Sequence, residues 1–154
     1  MSAFSNLLKS LTVATVAAFA ATTASAQDIL TLAEPEVVLN VAKGFGSAEM
    51  DKDDGGDPMI TGRIQGLKYA IYFYGCKEAK DCRSIQFSSG YTDPWTVEKA
   101  NEWNKKFRWV KAYENEGSNF KMDVDFKCGV TRQYLEEQFI TWDSFISDMK
   151  ESVQ

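Results

Sequence analysis

The stretch Leu67–Gly75, LKYAIYFYG, decides the fold class of this chain. Aromatic and β-branched residues dominate it, and these residue types favour strands. Side chains alternate between the two faces of a strand, and here both faces are apolar. One face carries Leu67, Tyr69, Ile71 and Phe73, and the other carries Ala70, Tyr72 and Tyr74. A strand without a polar face is typical of the centre of a sheet, so we predict that Leu67–Gly75 is a central strand.

Further strands are predicted on both sides of this stretch. Ile60–Ile64 alternates in character, and Gln65-Gly66 connects it to the central strand by a tight turn. The other predicted strands are Arg83–Tyr91, a hairpin of Trp109–Glu114 and Phe120–Lys127, and an extra edge strand within Phe45–Met50. Hairpins joined by short turns indicate antiparallel pairing throughout.

Three helices are predicted around these strands. Pro35 suits the first turn of a helix that ends before Gly44. Thr96 is expected to cap a helix over Val97–Phe107, and Thr131 is expected to cap the last helix. The apolar residues of the last helix recur at helical spacing: Leu135, Phe139, Trp142, Ile146 and Met149. Such an amphipathic helix must lie with its apolar face on the sheet.

The predicted order of elements is therefore α-β-β-β-α-β-β-α, with the extra edge strand as an option. An α+β fold satisfies this order, with an antiparallel sheet and helices packed on one side of it.

The N-terminal segment has the pattern of a secretory signal peptide. Lys9 is its only charge, Leu11–Ala21 is apolar, and Ala24-Ser25-Ala26 forms an A-x-A site. A membrane anchor would need about 20 predominantly apolar residues, and this stretch breaks sooner, into Thr22-Thr23. We predict cleavage after Ala26 and a periplasmic or secreted product of 128 of the 154 residues. Residues 27–33 are expected to be a flexible start, 34–150 the folded domain and 151–154 a tail.

Composition excludes several kinds of chemistry. Histidine is absent, which removes Ser-His-Asp and Cys-His nucleophile activation and His-ligated zinc. Loss of Lys9 with the signal leaves 16 basic against 22 acidic side chains. An acidic surface disfavours binding to nucleic acid and to an anionic membrane surface. We expect no cofactor, and no membrane contact after signal cleavage.

Cys76 and Cys82 bracket the turn after the central strand. In an exported protein this spacing predicts a disulfide that closes the hairpin. The C-x5-C spacing differs from the C-x-x-C motif of redox proteins, and three cysteines without histidine fit no common zinc pattern. Cys128 has no predicted partner within the chain. It is either a buried thiol at the end of a strand or forms an intermolecular disulfide.

The loop Asp51–Asp57 is the weak candidate for a metal site. Asp51, Asp53 and Asp57 invite comparison with an EF-hand calcium loop. However, Gly55 stands at the fifth position of such a loop, and Gly62 stands at the twelfth, where a glutamate belongs. Because Asp and Gly also suit ordinary turns, we interpret this loop as a solvated turn.

Two other polar groups are candidate sites. Asp123 and Asp125 share one face of a strand, but a carboxylate pair needs an apolar pocket to act as acid and base. If Glu114 pairs with Phe120, Asp123 falls opposite Lys111, which predicts an exposed ion pair.

The run Asn101-Glu102-Trp103-Asn104 is unusual inside a helix, because Asn is a poor helix former. Its amides are expected to bond to strand or loop backbone. Alternatively, Asn101 and Asn104 form the polar lip of a ligand groove beside Trp103.

Several segments together resemble the YbjN domain family, over residues 34–150. These segments are Gly56–Ile60, Gly66–Tyr69, Tyr72–Cys76, Arg83–Ser88, Asn101–Asn104 and Met122–Asp125. The resemblance implies a fold similar to type III secretion chaperones. The family is labelled as bacterial sensory transduction regulators, and it implies no enzymatic activity and no cofactor. The predicted signal peptide distinguishes this chain from cytoplasmic members of the family. The resemblance therefore implies only the protein-binding character of the fold, and not a regulatory role among cytosolic partners.

We therefore expect an exported, non-enzymatic, chaperone-like or regulatory module that binds an unidentified protein partner, as a monomer or homodimer. The alternative is a protein that binds calcium or a small ligand, and a hydrolase based on Asp123 and Asp125 ranks third. The protein-binding hypothesis requires an open sheet face or an exposed apolar patch around Tyr72, Tyr74, Trp109 and Tyr113.

Overall fold

The computed structural model describes residues 28–91, 95–114 and 118–152. The predicted signal peptide lies outside these residues. The described elements are β1 Ile29–Leu30, α1 Pro35–Ala42, β2 Ser47–Lys52, β3 Pro58–Ile64, β4 Leu67–Tyr74, β5 Ser84–Tyr91, α2 Val97–Lys106, β6 Lys111–Glu114, β7 Ser118–Asp125, β8 Val130–Thr131 and α3 Arg132–Ser152.

Six strands form one antiparallel sheet in the order β2-β3-β4-β5-β7-β6, and the helices pack on one side of it. The predicted α+β class is confirmed, and the extra edge strand exists as β2. The strand Leu67–Tyr74 lies between β3 and β5, as its apolar character predicts. Ile71 and Phe73 are fully buried under the helices, whereas Tyr74 on the opposite face is 45% exposed.

The local signals in the sequence explain where the elements begin and turn. Pro35 occupies the first turn of α1. The hydroxyl oxygens of Thr96 and Thr131 accept hydrogen bonds from the amides of Lys99 and Tyr134, at 3.3 and 3.0 Å, and so cap α2 and α3. Gln65 has a φ of 50° and is followed by a glycine with positive φ, which makes the tight β3–β4 turn.

The core lies between α3 and the sheet. All five apolar residues predicted for the buried face of α3 have no exposed surface: Leu135, Phe139, Trp142, Ile146 and Met149. Phe87 on β5 meets the rings of Phe139 and Trp142, with centroid distances of 4.8 and 5.5 Å. This contact fixes α3 across the central strands.

The start of the domain differs from the flexible segment expected at residues 27–33. Ile29–Leu30 pairs with Val130–Thr131, and the amide of Ala33 donates a 2.7 Å hydrogen bond to the carbonyl of Cys82. A pairing of two residues is too short to leave a periodic signal in the sequence.

The register of the second hairpin also differs from the expectation. Glu114 pairs with Ser118 rather than with Phe120, so Lys111 lies opposite Lys121 instead of Asp123. Because the register shifts by two residues, each side chain stays on the predicted face.

Candidate functional site

The face of the sheet that no described helix covers is the main candidate site. We call it the open face. It is formed by the alternate residues that share a side across the paired strands: Ser47, Glu49 and Asp51 on β2, Met59, Thr61 and Arg63 on β3, Lys68, Ala70, Tyr72 and Tyr74 on β4, Ser84, Gln86 and Ser88 on β5, Lys121, Asp123 and Asp125 on β7, and Lys111 and Tyr113 on β6.

Apolar and aromatic side chains occupy the middle of the open face. Tyr72 lies opposite Met59 on one side and Gln86 on the other, and Ala70 follows on the same strand. Tyr72, Met59 and Ala70 are half-buried by their neighbours, and Tyr74 is exposed. Tyrosine combines an apolar ring with a hydroxyl, which suits a surface that is solvated in one state and covered in another.

A polar network borders this apolar centre. The Tyr74 hydroxyl lies 3.5 Å from Oε1 of Gln86, and Nε2 of Gln86 donates a 2.6 Å hydrogen bond to Oδ1 of Asp123. Nζ of Lys111 donates to Oδ2 of the same carboxylate at 2.7 Å. Asp123 is therefore held from both sides. The ion pair predicted with Lys111 is present, although the pairing is diagonal.

The pKa values of the two carboxyl groups on β7, Asp123 and Asp125, are shifted in the same direction. Partial burial raises the pKa of Asp123, but the hydrogen bonds from Lys111 and Gln86 outweigh it, so the net pKa is lowered. The backbone amide of Lys127 lowers the pKa of Asp125. An acid and base pair needs pKa values that are pushed apart. This geometry gives the hydrolase hypothesis no support.

Lys121 is one of the basic groups of the open face, together with Arg63, Lys68 and Lys111. Its hydrogen bond with Tyr113 raises its pKa, so the ammonium stays charged. It forms no ion pair with any carboxylate of the described residues.

The predicted site residues of α2 do not join the open face. Nδ2 of Asn104 donates to the carbonyl of Ala112 at 2.9 Å, and its Oδ1 accepts from the Ala112 amide at 2.8 Å. Trp103 is buried and donates from Nε1 to the carbonyl of Val110 at 2.9 Å. Asn101 is exposed. Asn104 and Trp103 therefore fasten the edge strand β6 to α2, whereas Tyr72 and Tyr74 lie on the other side of the sheet.

We predict that Asn104→Ala lowers the free energy of unfolding by about 1–2 kcal/mol, because both hydrogen bonds to Ala112 are lost at the edge of the sheet. Asn101→Ala is the matched control on the same helix, and it should change stability by less than about 0.5 kcal/mol. Urea denaturation of both variants measures this. Equal losses in the two variants would contradict the role of Asn104.

A groove lies beside Trp103, between α2 and the end of α3, but neither Asn101 nor Asn104 is part of its lining. Its volume is 420 Å³, and its lining includes Trp95, Trp103 and Phe107. The ring centroids of Trp95 and Trp103 are 5.6 Å apart, and those of Trp103 and Phe107 are 4.1 Å apart. The concentration of aromatic residues from 95 to 107 was the available signal.

Trp109 lies apart from the tyrosines with which it was grouped. It is 62% exposed and shares a small pocket on the helix side with Tyr134 and Thr141. Trp109 precedes the short edge strand β6 and is not part of it. The alternation of side chains along the strand therefore does not determine the side of the sheet on which Trp109 lies.

The acidic loop does not bring its carboxylates together. Oδ1 of Asp53 accepts hydrogen bonds from the amides of Gly55 and Asp57, both at 2.9 Å. Asp51 lies on β2 and accepts from the amide of Lys52. Within residues 28–91, 95–114 and 118–152, no three His, Cys, Asp or Glu side chains are grouped to hold a metal ion.

Cys76 and Cys82 are paired as a disulfide, and Cys82 is fully buried. Cys128 is exposed, so it is not the buried thiol that was one of its two predicted states. It lies three residues after the end of β7.

The fold and the open face define a small α+β domain whose sheet is covered by helices on one side. The family model YbjN, described as "Putative bacterial sensory transduction regulator", matches residues 34–154. The chain belongs to this family, which is described as a family of regulators and is not a known enzyme family. No curated protein matches the chain. None of the described helices is long and apolar enough to cross a membrane.

Proposed function

We propose that this chain is an exported, non-enzymatic interaction module that binds another protein through the open face. The observation that carries this proposal is the uncovered side of the six-stranded sheet, where Tyr72, Tyr74 and Met59 form an apolar centre. Aromatic residues and methionine are enriched in the centres of protein interfaces. Membership of a regulator family supports an interaction role.

Export is supported by the N-terminal pattern that ends at Ala26 and by the pairing of Cys76 with Cys82. Disulfides persist in oxidising compartments. Cell fractionation with N-terminal sequencing tests this part. The expected product lies outside the cytoplasm and begins at Gln27, and a cytoplasmic product that keeps Met1 would contradict export.

Site-specific photo-crosslinking tests the open face. A benzophenone amino acid is placed at Tyr72, and in a control at Ile140, which is 58% exposed on α3. The expected result is a crosslinked protein at position 72 that is absent at position 140. Mass spectrometry identifies this protein, and it is then purified for a direct binding measurement.

The purified partner should bind Tyr72→Ser/Tyr74→Ser at least about tenfold more weakly than the wild type, and Ile140→Ser should bind unchanged. Tenfold corresponds to about 1.4 kcal/mol, well within what buried aromatic anchors contribute. Equal binding by all three proteins would refute the open face as the docking surface.

A further inference from the structure

The groove between α2 and the end of α3 has two walls of opposite charge. Lys99 and Lys106 line it from α2, and Asp148 and Glu151 line it from α3. Residues seven or three positions apart share one side of a helix, so each pair forms part of a single wall. Within the described residues, no ion pair joins the two walls. Opposite charges therefore line one groove without neutralising each other directly.

The carboxylates of the groove differ in whether they have a partner. Glu102, which also lines the groove, forms an ion pair with Lys105 at 2.5 Å. Asp148 is half-buried, and its carboxylate forms neither an ion pair nor a hydrogen bond within the described part of the chain. A carboxylate that is partly removed from water is normally paired. The α3 wall therefore offers an acceptor that the chain itself does not use.

The floor of the groove is aromatic and is covered by the two lysines. It consists of the rings of Trp95, Trp103 and Phe107. Nζ of Lys99 lies 4.8 Å from the ring centroid of Trp95, and Nζ of Lys106 lies 4.7 Å from that of Phe107. Exposed side chains commonly change rotamer when a ligand binds. Movement of the two lysines would uncover apolar surface on the floor and leave both ammonium groups beside it.

The position of Lys99 shows that the α3 wall accepts an ammonium group. Nζ of Lys99 donates a 2.5 Å hydrogen bond across the groove to the carbonyl of Ser152, in the last turn of α3. Carbonyls at this end of a helix lack partners within the helix, and the helix dipole favours a positive charge there. The carboxylates of Asp148 and Glu151 add to this preference. An ammonium group of a ligand would find the same surroundings as that of Lys99.

We propose that this groove binds a free α-amino acid with an aromatic or branched apolar side chain. The ammonium group of the ligand replaces that of Lys99 at the α3 wall, beside Asp148 and Glu151. Lys99 and Lys106 then bind the carboxylate of the ligand, and its side chain lies on the aromatic floor. This site goes beyond the proposed function, because α2 and α3 lie on the other side of the sheet from the open face.

The size and the charges of the groove disfavour other ligands. Its volume of 420 Å³ lies at the lower end of the roughly 300–1,000 Å³ that is usual for small-molecule sites. A purely anionic ligand would meet the carboxylates of the α3 wall, and a purely cationic one would meet the lysines of the α2 wall. Juxtaposed like charges act against such ligands. A terminal residue of a peptide carries only one of the two charges, whereas a free amino acid carries both on one carbon atom.

Isothermal titration calorimetry of the purified full chain tests the proposal with three related compounds. L-Phenylalanine carries both charges, 2-phenylethylamine lacks the carboxylate, and 3-phenylpropanoate lacks the ammonium group. L-Phenylalanine should bind with a Kd below about 1 mM, a modest affinity for a ligand of this size. Each analogue should bind at least about tenfold more weakly, because one wall then has no partner. Glycine, which lacks the ring, should give no heat of binding.

Variants assign each charge of the ligand to a wall. Asp148→Asn/Glu151→Gln should weaken the binding of L-phenylalanine at least about tenfold without weakening that of 3-phenylpropanoate. Lys106→Gln should weaken L-phenylalanine without weakening 2-phenylethylamine. Glu49→Gln/Asp51→Asn on the open face is the control with the same change in net charge as the α3 pair, and it should bind L-phenylalanine like the wild type. Unchanged melting temperatures without ligand show that the variants are folded.

Three results would overturn the proposal, and the first two need no variant. One is the absence of binding to both L-phenylalanine and L-leucine up to about 10 mM. Another is equal binding of the three phenyl compounds, which would mean that neither wall recognises a charge. The third is an equal loss of L-phenylalanine binding in the α3 pair and in the control pair on the open face, which would place the ligand outside the groove.

Discussion

Trp142→Ala is expected to lower the free energy of unfolding by about 3–5 kcal/mol, the usual cost of removing a large aromatic side chain from a core. Trp142 has no exposed surface, and its ring lies 5.5 Å from that of Phe87 on a central strand. Removing it leaves a cavity where α3 contacts the sheet. Urea denaturation followed by circular dichroism measures the loss, which would be a large part of the roughly 5–15 kcal/mol that holds a typical domain folded.

Trp142→Phe is expected to cost much less, under about 2 kcal/mol. The indole nitrogen of Trp142 is buried and has no hydrogen-bond partner among the described residues. A buried donor without a partner is costly, so its removal offsets part of the lost packing. Ile140→Ala on the exposed side of the same helix serves as the control and should stay within about 0.5 kcal/mol of the wild type. If Trp142→Phe lowers the free energy of unfolding as much as Trp142→Ala does, the indole nitrogen contributes to stability. The interpretation of this nitrogen as a costly unpaired donor is then wrong.

The buried face of α3 could be predicted because burial itself sets the spacing of its apolar residues. Leu135, Trp142 and Met149 recur at the period of a helix, and each is fully buried. The caps at Thr96 and Thr131 were equally predictable, because a side-chain oxygen that precedes a helix accepts a hydrogen bond from a free amide of the first turn. These signals are local and act within a few residues.

Which of the two faces of β4 the helices leave uncovered could not be predicted. Tyr72 and Tyr74 made that face look apolar, but tyrosine is found both in cores and on surfaces because its hydroxyl can stay solvated. Whether a helix covers them depends on how α1, α2 and α3 are distributed over the sheet. No local pattern in LKYAIYFYG encodes that distribution.

The sequence predicted that the side chain of Asn104 bonds to backbone, but it did not predict which residue is the partner. A side-chain amide inside a helix was expected to bond to backbone, and it bonds to both polar groups of Ala112. The partner depends on the register of β6, which the sequence placed two residues away from its observed position. Long-range register is set by packing across the whole sheet and therefore escapes a reading of the hairpin alone.

Removal of the disulfide, by reduction or by Cys76→Ala/Cys82→Ala, is expected to lower the free energy of unfolding by about 2 kcal/mol. In the loop-entropy model, this is the stabilisation that a ring of this size gives by restricting the unfolded chain. Inside the ring, Glu78, Ala79 and Asp81 have positive φ, which is unfavourable for residues other than glycine and offsets part of this stabilisation. The released segment would loosen the contact of the Cys82 carbonyl with the amide of Ala33 and, with it, the start of the domain.

Thermal unfolding with and without a dithiol reductant measures this effect, and alkylation followed by mass spectrometry reports the state of the thiols. Cys128→Ala is the matched control, because Cys128 is exposed and unpaired, and it should unfold like the wild type. Reductant should shift the melting temperature of the wild type and of Cys128→Ala equally, and should leave Cys76→Ala/Cys82→Ala unchanged. Alkylation of Cys76 and Cys82 without reductant would show that the bond does not form. An unchanged melting temperature after complete reduction would show instead that the ring adds no stability, because the hairpin between β4 and β5 holds its own register.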